Sequence, residues 1–330
     1  MADSVWILAA VVLIALAFDY INGMHDAANA IATVVSTRVL SPRQAILLAA
    51  GLNFAGAFLS TAVAKTIGKG IVDPALVTNG IIAAAMLGAI IWNLITWYFG
   101  IPSSSSHALI GGIMGAAASY HGFAALNWTG LATILKALLF SPLLGLGGGF
   151  IIMVLIMWLF RNTSAGVVNR LFKMLQLVSA SFMAVSHGSN DAQKVMGVIT
   201  MALFGMGYIS DFNVPLWVIF ACATAMALGT ATGGWRIIKT LGVKMIKLQP
   251  VNGFAAETAA SLVILGATHF GTPVSTTHVI SGSIMGVGTA KRATAVRWGV
   301  AGNMMVAWLL TIPASALVAF AIGRLFHAMG

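Results

Sequence analysis

A run of hydroxyl side chains directly before a histidine occurs twice in the sequence, and such a run suits the binding of an anion. The segment from Gly100 to Gly115 aligns without a gap with the segment from Gly271 to Gly286, and 8 of the 16 positions are identical. In both copies a proline precedes the hydroxyl residues, and proline is well tolerated in the first turn of a helix. A helix that begins there would present backbone amides and hydroxyl groups at one point, and this arrangement binds anions.

The histidine that closes each run, His107 or His278, has two readings from the sequence. It either donates a hydrogen bond to the anion or supports the orientation of the hydroxyl groups. Glycines four residues apart follow each histidine, as at Gly111 and Gly115. This spacing is typical of close contacts between membrane helices, so each segment is expected to pack tightly as well as to bind.

A second repeated motif has an aspartate at its centre. The segments from Asn22 to Asn29 and from His187 to Lys194 place Asp26 and Asp191 at matched positions inside apolar sequence. A carboxylate in the middle of a membrane helix costs roughly 2.5 to 3.5 kcal/mol to insert, so its repetition indicates a function. The flanking Gly, Asn, His and Gln residues predict helices that are interrupted around a cation site. The alternative is that these polar groups only join helices through hydrogen bonds.

Glu257 is a further acidic residue in an apolar segment. It has no acidic counterpart in the other half of the chain, because the alignment places it opposite Ala84. The sequence leaves two roles open for it. It either takes part in cation coupling or forms a structural pair with a nearby hydrogen-bond donor.

Composition places these motifs in a membrane. Of the 330 residues, 59% are hydrophobic and 7% are charged, whereas roughly 25% of the residues in an ordinary soluble domain are charged. The apolar blocks reach the roughly 20 residues that a membrane-spanning helix needs, and they are continuous, which excludes a β-barrel. The net charge of +10 comes mostly from residues at the ends of these blocks. Such charges set membrane topology, so they do not indicate nucleic-acid binding.

The order of the motifs divides the chain into two related halves. The aspartate motif precedes the hydroxyl–histidine motif in each half, at separations of 165 and 171 residues between the copies. We therefore predict one membrane repeat over residues 1–160 and a second over residues 161–330. Duplicated halves, often inverted relative to each other, are a recurrent transporter architecture with the binding site where the repeats meet. The predicted fold is an all-α polytopic membrane protein with interrupted helices and re-entrant helical hairpins.

The four motifs together resemble the inorganic phosphate transporter (PiT) family over nearly the whole chain. The resemblance implies an inverted-repeat helical fold, a homodimer, and a site where hairpin tips enclose phosphate. It implies phosphate binding by Ser104, Ser105, Ser106, Ser275, Thr276 and Thr277. It implies cation coupling by Asn22, His25, Asp26, Asn29, Asn190, Asp191, Gln193 and Glu257, with Na⁺ ligands at Asp26, Asn29, Asp191 and Gln193, and with support from His107, His278 and Lys194.

The first aspartate motif departs from the form that sodium-coupled members commonly show. Those members have Asn-Asp in both motifs, whereas this chain has His25-Asp26 in the first and Asn190-Asp191 in the second. This form is similar to the bacterial low-affinity branch, which is associated with proton coupling and with metal-phosphate substrates. Because histidine changes its charge near neutral pH, we expect a proton-coupled phosphate symporter in a prokaryotic plasma membrane. No cofactor is expected, and the coupling ion is expected to be H⁺ or Na⁺.

Four other functions compete with this prediction, and one of them is a passive channel. Sodium-coupled phosphate symport uses the same motifs, and a sulfate carrier could use the same fold. A site carboxylate that touches the anion would favour phosphate, because phosphate keeps a proton near neutral pH and sulfate does not. An intramembrane hydrolase is disfavoured because the serines lie in duplicated clusters rather than as one nucleophile. The protein is therefore predicted not to be an enzyme.

Overall fold

The computed structural model describes residues 2–329, and it is helical throughout apart from short connections and one isolated bridge between Val72 and Leu126. In the first half, the helices are α1 (Ala2–Ser36), α2 (Pro42–Gly56), α3 (Ala62–Gly70), α4 (Asn79–Phe99), α5 (Ser105–His121) and α6 (Trp128–Leu159). In the second half, they are α7 (Ala165–Gly205), α8 (Leu216–Thr232), α9 (Trp235–Lys239), α10 (Pro250–His269), α11 (Thr276–Lys291) and α12 (Trp298–Met329). The prediction of an all-α membrane protein is confirmed.

Several of these helices are long and apolar enough to cross a bilayer. Five helices within the described residues meet this criterion, namely α1, α4, α6, α10 and α12. A sixth span would form if the segments Leu216–Thr232 and Trp235–Lys244, which meet at an angle of 62°, are counted as one broken helix. The chain therefore passes through the membrane several times.

The two hydroxyl–histidine motifs form the predicted hairpins. Gly100 directly follows α4 and Gly271 lies just after α10, and both glycines adopt the left-handed backbone, with φ of 66° and 65°. This conformation lets the chain reverse before the next helix. The prolines do not begin the helices, contrary to the prediction. Ser104 and Ser275 are the N-caps of α5 and α11, because a serine hydroxyl can accept from a free backbone amide whereas proline cannot.

Helices of each half pack extensively against helices of the other half, an arrangement that we call an exchange of packing surfaces. Helix α5 packs along α12 and α4, whereas α11 packs along α6 and α10. In the same way α1 lies against α8, and α7 lies against α2. Each half therefore depends on the other for its main contacts. The join that the sequence predicts between the halves falls in the short connection between α6 and α7.

The predicted interruption of the helices at the two aspartate motifs is wrong. Helices α1 and α7 continue without a break through Asp26 and Asp191. The glycines of the motifs serve close packing instead of unwinding. A Cβ atom on Gly23 would lie 2.3 Å from the carbonyl oxygen of Met226, and one on Gly188 would lie 2.2 Å from that of Asn53. The polar side chains therefore project from intact helices.

Candidate functional site

The N-terminal turns of α5 and α11 meet in the interior of the protein. The Ser106 hydroxyl donates to the carbonyl oxygen of Val274 at 3.3 Å, and the rings of His107 and His278 lie 4.5 Å apart. From this contact the two helices continue into different packing environments, as expected when equivalent helices of two repeats enter from opposite directions. All six hydroxyl residues that the sequence predicted to bind an anion are buried at these tips.

The serines of the two tips have distinct hydrogen-bond roles. The hydroxyl oxygens of Ser104 and Ser275 accept from the backbone amides of His107 and His278, both at 3.2 Å. A serine that caps a helix in this way still has its own O–H to donate. The Ser105 hydroxyl is buried and has no hydrogen-bond partner among the described residues. The tips therefore retain donors for an anion.

The two motif carboxylates lie together beside the α11 tip. One ligand atom from each of Asp26, His187 and Asp191 lies within 4.8 Å of the other two. Two negative charges at this separation repel by roughly 3 to 4 kcal/mol at an effective dielectric constant of about 20. Thr276 donates to Asp191 Oδ2 at 2.8 Å, and Thr277 donates to Asp26 Oδ1 at 3.4 Å. The predicted anion and cation ligands are therefore in direct contact.

Lys194 connects the second carboxylate to the other tip. Its ammonium group donates to Asp191 Oδ1 and, at 2.6 Å, to the Ser106 hydroxyl. His187 Nε2 lies 3.3 Å from the other Asp191 oxygen, and its Nδ1 lies 3.2 Å from Asn53 Oδ1. Each carboxylate oxygen of Asp191 thus has a basic partner. Through Lys194, Ser106 at the tip of α5 joins the same cluster.

The first carboxylate pairs with a histidine instead of a lysine. His25 Nδ1 lies 2.7 Å from Asp26 Oδ1. Its Nε2 lies 3.0 Å from the Thr96 hydroxyl and 3.3 Å from the Ser103 hydroxyl. A hydroxyl can donate to a neutral imidazole or accept from a protonated one. The Thr96 hydroxyl donates to backbone carbonyls of α4 and the Ser103 hydroxyl donates to Thr96, so both hydroxyl oxygens can accept from His25 Nε2.

Unpartnered amide oxygens fit the predicted cation ligands. The side-chain oxygens of Asn22, Asn29 and Asn190 are buried and accept no hydrogen bond within the part of the chain that the structure describes. Buried polar atoms are nearly always partnered, and carboxylate and carbonyl oxygens are the usual ligands of hard cations. The amide nitrogen of Asn29 donates to Thr277 at 2.9 Å and to Thr276 at 3.3 Å, which ties this residue to the α11 tip.

Gln193 and Glu257 take part in other networks. The Gln193 amide oxygen accepts from the backbone amide of Val63 at 2.8 Å, at the start of α3, so binding a cation would require that bond to open. Glu257 accepts hydrogen bonds from three side chains, and none of them belongs to the carboxylate cluster. The donors are Thr33 at 2.5 Å, Gln176 at 3.0 Å, and Ser179. The sequence left two roles open for Glu257. These three donors are the partners that the structural role requires.

His107 and His278 lie behind the tips. The His278 ring is 4.0 Å from the Trp308 ring, and the Trp308 indole donates to the carbonyl oxygen of Pro102 at 2.9 Å. Both histidines also line an apolar cavity of about 350 Å³ between α6 and α12. The supporting role that the sequence left open for these histidines therefore stays a prediction.

The sequence analysis did not predict the contacts of some residues of the site. Thr96 and Ser103 complete the surroundings of His25, and Thr33 lies next to Glu257. The single available signal was the spacing of Thr33, which follows Asn29 by four residues on the same helix face. The sequence analysis gave no role to Asp19, another acidic residue in an apolar segment, and the structure buries it completely.

A helical membrane protein with two interlocked halves and a buried site of paired helix tips, carboxylates and amide oxygens belongs to the class of membrane transporters. The site is enclosed within the bundle, and it combines anion donors with cation ligands. Both features are typical of secondary transporters built from repeats.

The chain belongs to the phosphate transporter family. The family model matches residues 22–168 and again residues 161–319, so both halves carry the family pattern. Two relatives, each described as a probable low-affinity inorganic phosphate transporter, come from Rhizobium meliloti (strain 1021) and Bacillus subtilis (strain 168). They are 51% and 54% identical over 94% and 93% of this chain, and over the same shares of their own lengths. The protein is thus a multi-pass plasma-membrane transporter and not an enzyme.

A solved structure has the same fold. It is titled the sodium-dependent phosphate transporter, and it matches 98% of this chain and 100% of its own chain with a TM-score of 0.88. Its sequence is 24% identical to this one. This similarity confirms the fold class that the motifs predicted.

Proposed function

We propose that the protein imports inorganic phosphate, free or as a metal–phosphate complex, by symport with protons. The observation that carries this proposal is a buried cluster in which the tip of α11 contacts both motif carboxylates and the tip of α5 is joined to Asp191 through Lys194. Such a cluster couples the two ligands, because an anion bound at the tips and a cation bound at the carboxylates attract each other. The relatives' descriptions support phosphate as the substrate.

The contacts of the carboxylates favour phosphate over sulfate. Asp26 and Asp191 accept hydrogen bonds from the tip hydroxyls of Thr277 and Thr276, so an anion at the tips would lie next to carboxylate oxygens. Monohydrogen phosphate has an O–H that can donate to a carboxylate, whereas sulfate has only acceptors. The sulfate complex would leave acceptors facing each other, which is the kind of mismatch that gives strong selectivity.

The His25–Asp26 pair supports the proton as the coupling ion. His25 Nδ1 contacts Asp26 and its Nε2 faces two hydroxyl oxygens, so a ring that carries a proton on both nitrogens has an acceptor for each. A proton on His25 would offset the charge of Asp26 and so reduce the repulsion of an entering anion. The unpartnered amide oxygens support the second candidate, in which Na⁺ is the coupling ion.

The mechanism that follows is alternating access. Binding of the coupling ion at Asp26 makes the anion site between the two tips competent, and the loaded tips then move relative to the rest of the bundle. Transport would proceed with the protein assembled as a homodimer in the lipid bilayer, as the family resemblance implies. Cross-linking of the protein in membranes would test that assembly.

Uptake of radiolabelled phosphate into proteoliposomes tests the proposal. A proton gradient and a sodium gradient are imposed separately, and unlabelled sulfate is added in excess as a competitor. We expect phosphate to accumulate with the proton gradient and to be unaffected by sulfate. Accumulation with sodium alone would favour the second candidate, and inhibition by sulfate would contradict phosphate selectivity.

Replacing His25 by asparagine is expected to uncouple transport from protons. The asparagine amide can still hydrogen-bond to Asp26, but it cannot gain a proton. Accumulation driven by a pH gradient should fall by roughly tenfold or more, a factor that corresponds to about 1.4 kcal/mol. Exchange of internal for external phosphate without a gradient should persist.

The matched control is His121→Asn, because His121 is exposed at the end of α5. This control should leave proton-driven accumulation unchanged. Proton-driven accumulation at the level of the unmodified protein in His25→Asn would show that His25 does not couple transport to protons.

A further inference from the structure

The two motif carboxylates differ in their surroundings, because Asp191 contacts a lysine, Lys194, whereas Asp26 contacts His25. Lys194 follows Asp191 by three residues, just as Asn29 follows Asp26 by three residues. The two residues are therefore equivalent positions of the repeated motif, one neutral and one positively charged. Both side chains are buried, with Lys194 exposed by only 3%.

These equivalent residues make equivalent contacts across the repeats. Asn29 of α1 donates to Thr276 and Thr277 at the tip of α11. Lys194 of α7 donates to Ser106 at the tip of α5, and it also donates to Asp191. The ammonium group of Lys194 thus lies between a motif carboxylate and a tip hydroxyl of the other half.

That position suits a monovalent cation. A lysine ammonium is a compact unit charge on a flexible stem, and here it interacts with a carboxylate oxygen and a hydroxyl oxygen. Oxygen atoms of these two kinds are also ligands of small hard cations. The charge that Lys194 supplies is covalently attached to the chain and cannot leave with the substrate.

The first half lacks such a fixed charge beside its carboxylate. Asp26 is paired with His25, and the residue equivalent to Lys194 is the neutral Asn29. The Asp26 half therefore has no lysine ammonium beside its carboxylate.

We propose that the ammonium group of Lys194 is a tethered substitute for one coupling cation, so that the Asp191 half of the site needs no exchangeable cation. The proposal deepens the proposed function, because it assumes coupled phosphate transport and limits the exchangeable charge to the Asp26 half. It makes Lys194 a residue that determines which ions the transporter requires.

Converting Lys194 to the residue at the equivalent position tests this role. Lys194→Asn removes the tethered charge and supplies an amide oxygen as a ligand, whereas Lys194→Met removes the charge and supplies none. Phosphate uptake into proteoliposomes is measured in choline chloride, sodium chloride and lithium chloride at equal ionic strength. The unmodified protein should take up phosphate equally in all three.

We expect uptake by Lys194→Asn in choline chloride to fall by roughly tenfold or more, and sodium or lithium to restore most of it. Lys194→Met should stay inactive in all three salts. If Lys194→Asn transports at the unmodified rate in choline chloride, or if neither sodium nor lithium restores it while the protein is folded, the proposal is wrong.

Thermal unfolding of the purified proteins gives a readout that does not depend on transport. Sodium should raise the unfolding temperature of Lys194→Asn relative to choline, because a ligand that binds only the folded state stabilises it. It should not do so for the unmodified protein or for Lys194→Met. Lys194→Gln, which offers the same amide on a longer stem, replaces Lys194→Asn if the latter does not purify as a folded protein.

The two assays separate failure of this proposal from failure of the proposed function. If the unmodified protein does not transport phosphate, the proposed function is wrong, and the unfolding experiment still decides whether Lys194 occupies a cation position. If the unmodified protein transports phosphate and no variant gains sensitivity to sodium or lithium in either assay, the proposal for Lys194 alone is overturned.

Discussion

Replacing Asp191 by asparagine is expected to lower phosphate uptake at least a hundredfold, a loss that corresponds to about 2.7 kcal/mol. Asp191 accepts from Thr276 at the tip of α11 and from Lys194, which in turn holds Ser106 at the tip of α5. A neutral amide cannot neutralise Lys194 and cannot accept on both of its polar atoms. The change therefore removes the link between the two tips. The loss is measured as uptake of radiolabelled phosphate into proteoliposomes.

The same substitution leaves a buried positive charge without its partner. Breaking a buried ion pair from one side typically costs roughly 3 to 5 kcal/mol of stability, so loss of uptake has to be separated from loss of folding. The double variant Asp191→Asn, Lys194→Met removes both charges together. We expect it to recover thermal stability in detergent but not uptake. Recovery of uptake in the double variant would show that the ion pair only stabilises the fold.

The matched control is Asp211→Asn, since Asp211 is an exposed carboxylate outside the helices. It should transport at the unmodified rate. Coupled uptake at that rate in Asp191→Asn would contradict the assignment of Asp191 to the transport site.

Substituting Gly286 by valine is expected to prevent accumulation of folded protein. Helix α11 packs so closely on α6 at this point that a Cβ atom on Gly286 would lie 2.0 Å from the carbonyl oxygen of Leu146 and 2.8 Å from the amide nitrogen of Phe150. The obstructing atoms are backbone, so no side-chain rotation relieves the clash. Overpacking a core usually costs roughly 1 to 3 kcal/mol, and a clash with two backbone atoms of α6 should exceed that range.

Size-exclusion chromatography in detergent and thermal unfolding measure the effect. Gly286→Ala should be destabilised in the same direction by a smaller amount. The control is Gly147→Ala in α6, where an added Cβ would meet no atom within 4 Å, and this variant should be as stable as the unmodified protein. Equal stability of Gly286→Val and the unmodified protein would contradict the close packing of α11 on α6.

The architecture and the place of the site were predictable because the sequence repeats itself. An apolar composition with continuous blocks indicated a helical membrane protein, and the duplicated motifs indicated two halves with hairpins. The costs of burying Asp26 and Asp191 pointed to a function, and the structure brings both carboxylates beside the tips. The assignment of individual ligands stays a prediction.

Contacts between distant parts of the chain were not predictable from local pattern. His25 meets Thr96 and Ser103 only because helix packing brings residues more than 70 positions apart into contact. The glycines of the aspartate motifs misled the sequence analysis for the same reason. Glycine is permissive for unwound backbone and also for close helix contact, and which one applies depends on the neighbouring helix. Here the neighbour is α8 for Gly23.

The exchange of packing surfaces between the halves has a consequence for biogenesis. The hairpin helix α5 packs along α12, which is synthesised after helices α1 to α11, whereas α6 packs against α11 of the second hairpin. The first hairpin must therefore remain in the bilayer without its main partner until α12 has been synthesised. Folding otherwise proceeds from the N-terminus onward. Here its last step has to pack both hairpins into the bundle together. A nascent chain truncated before α12 would thus be inserted in the membrane yet lack an assembled substrate site.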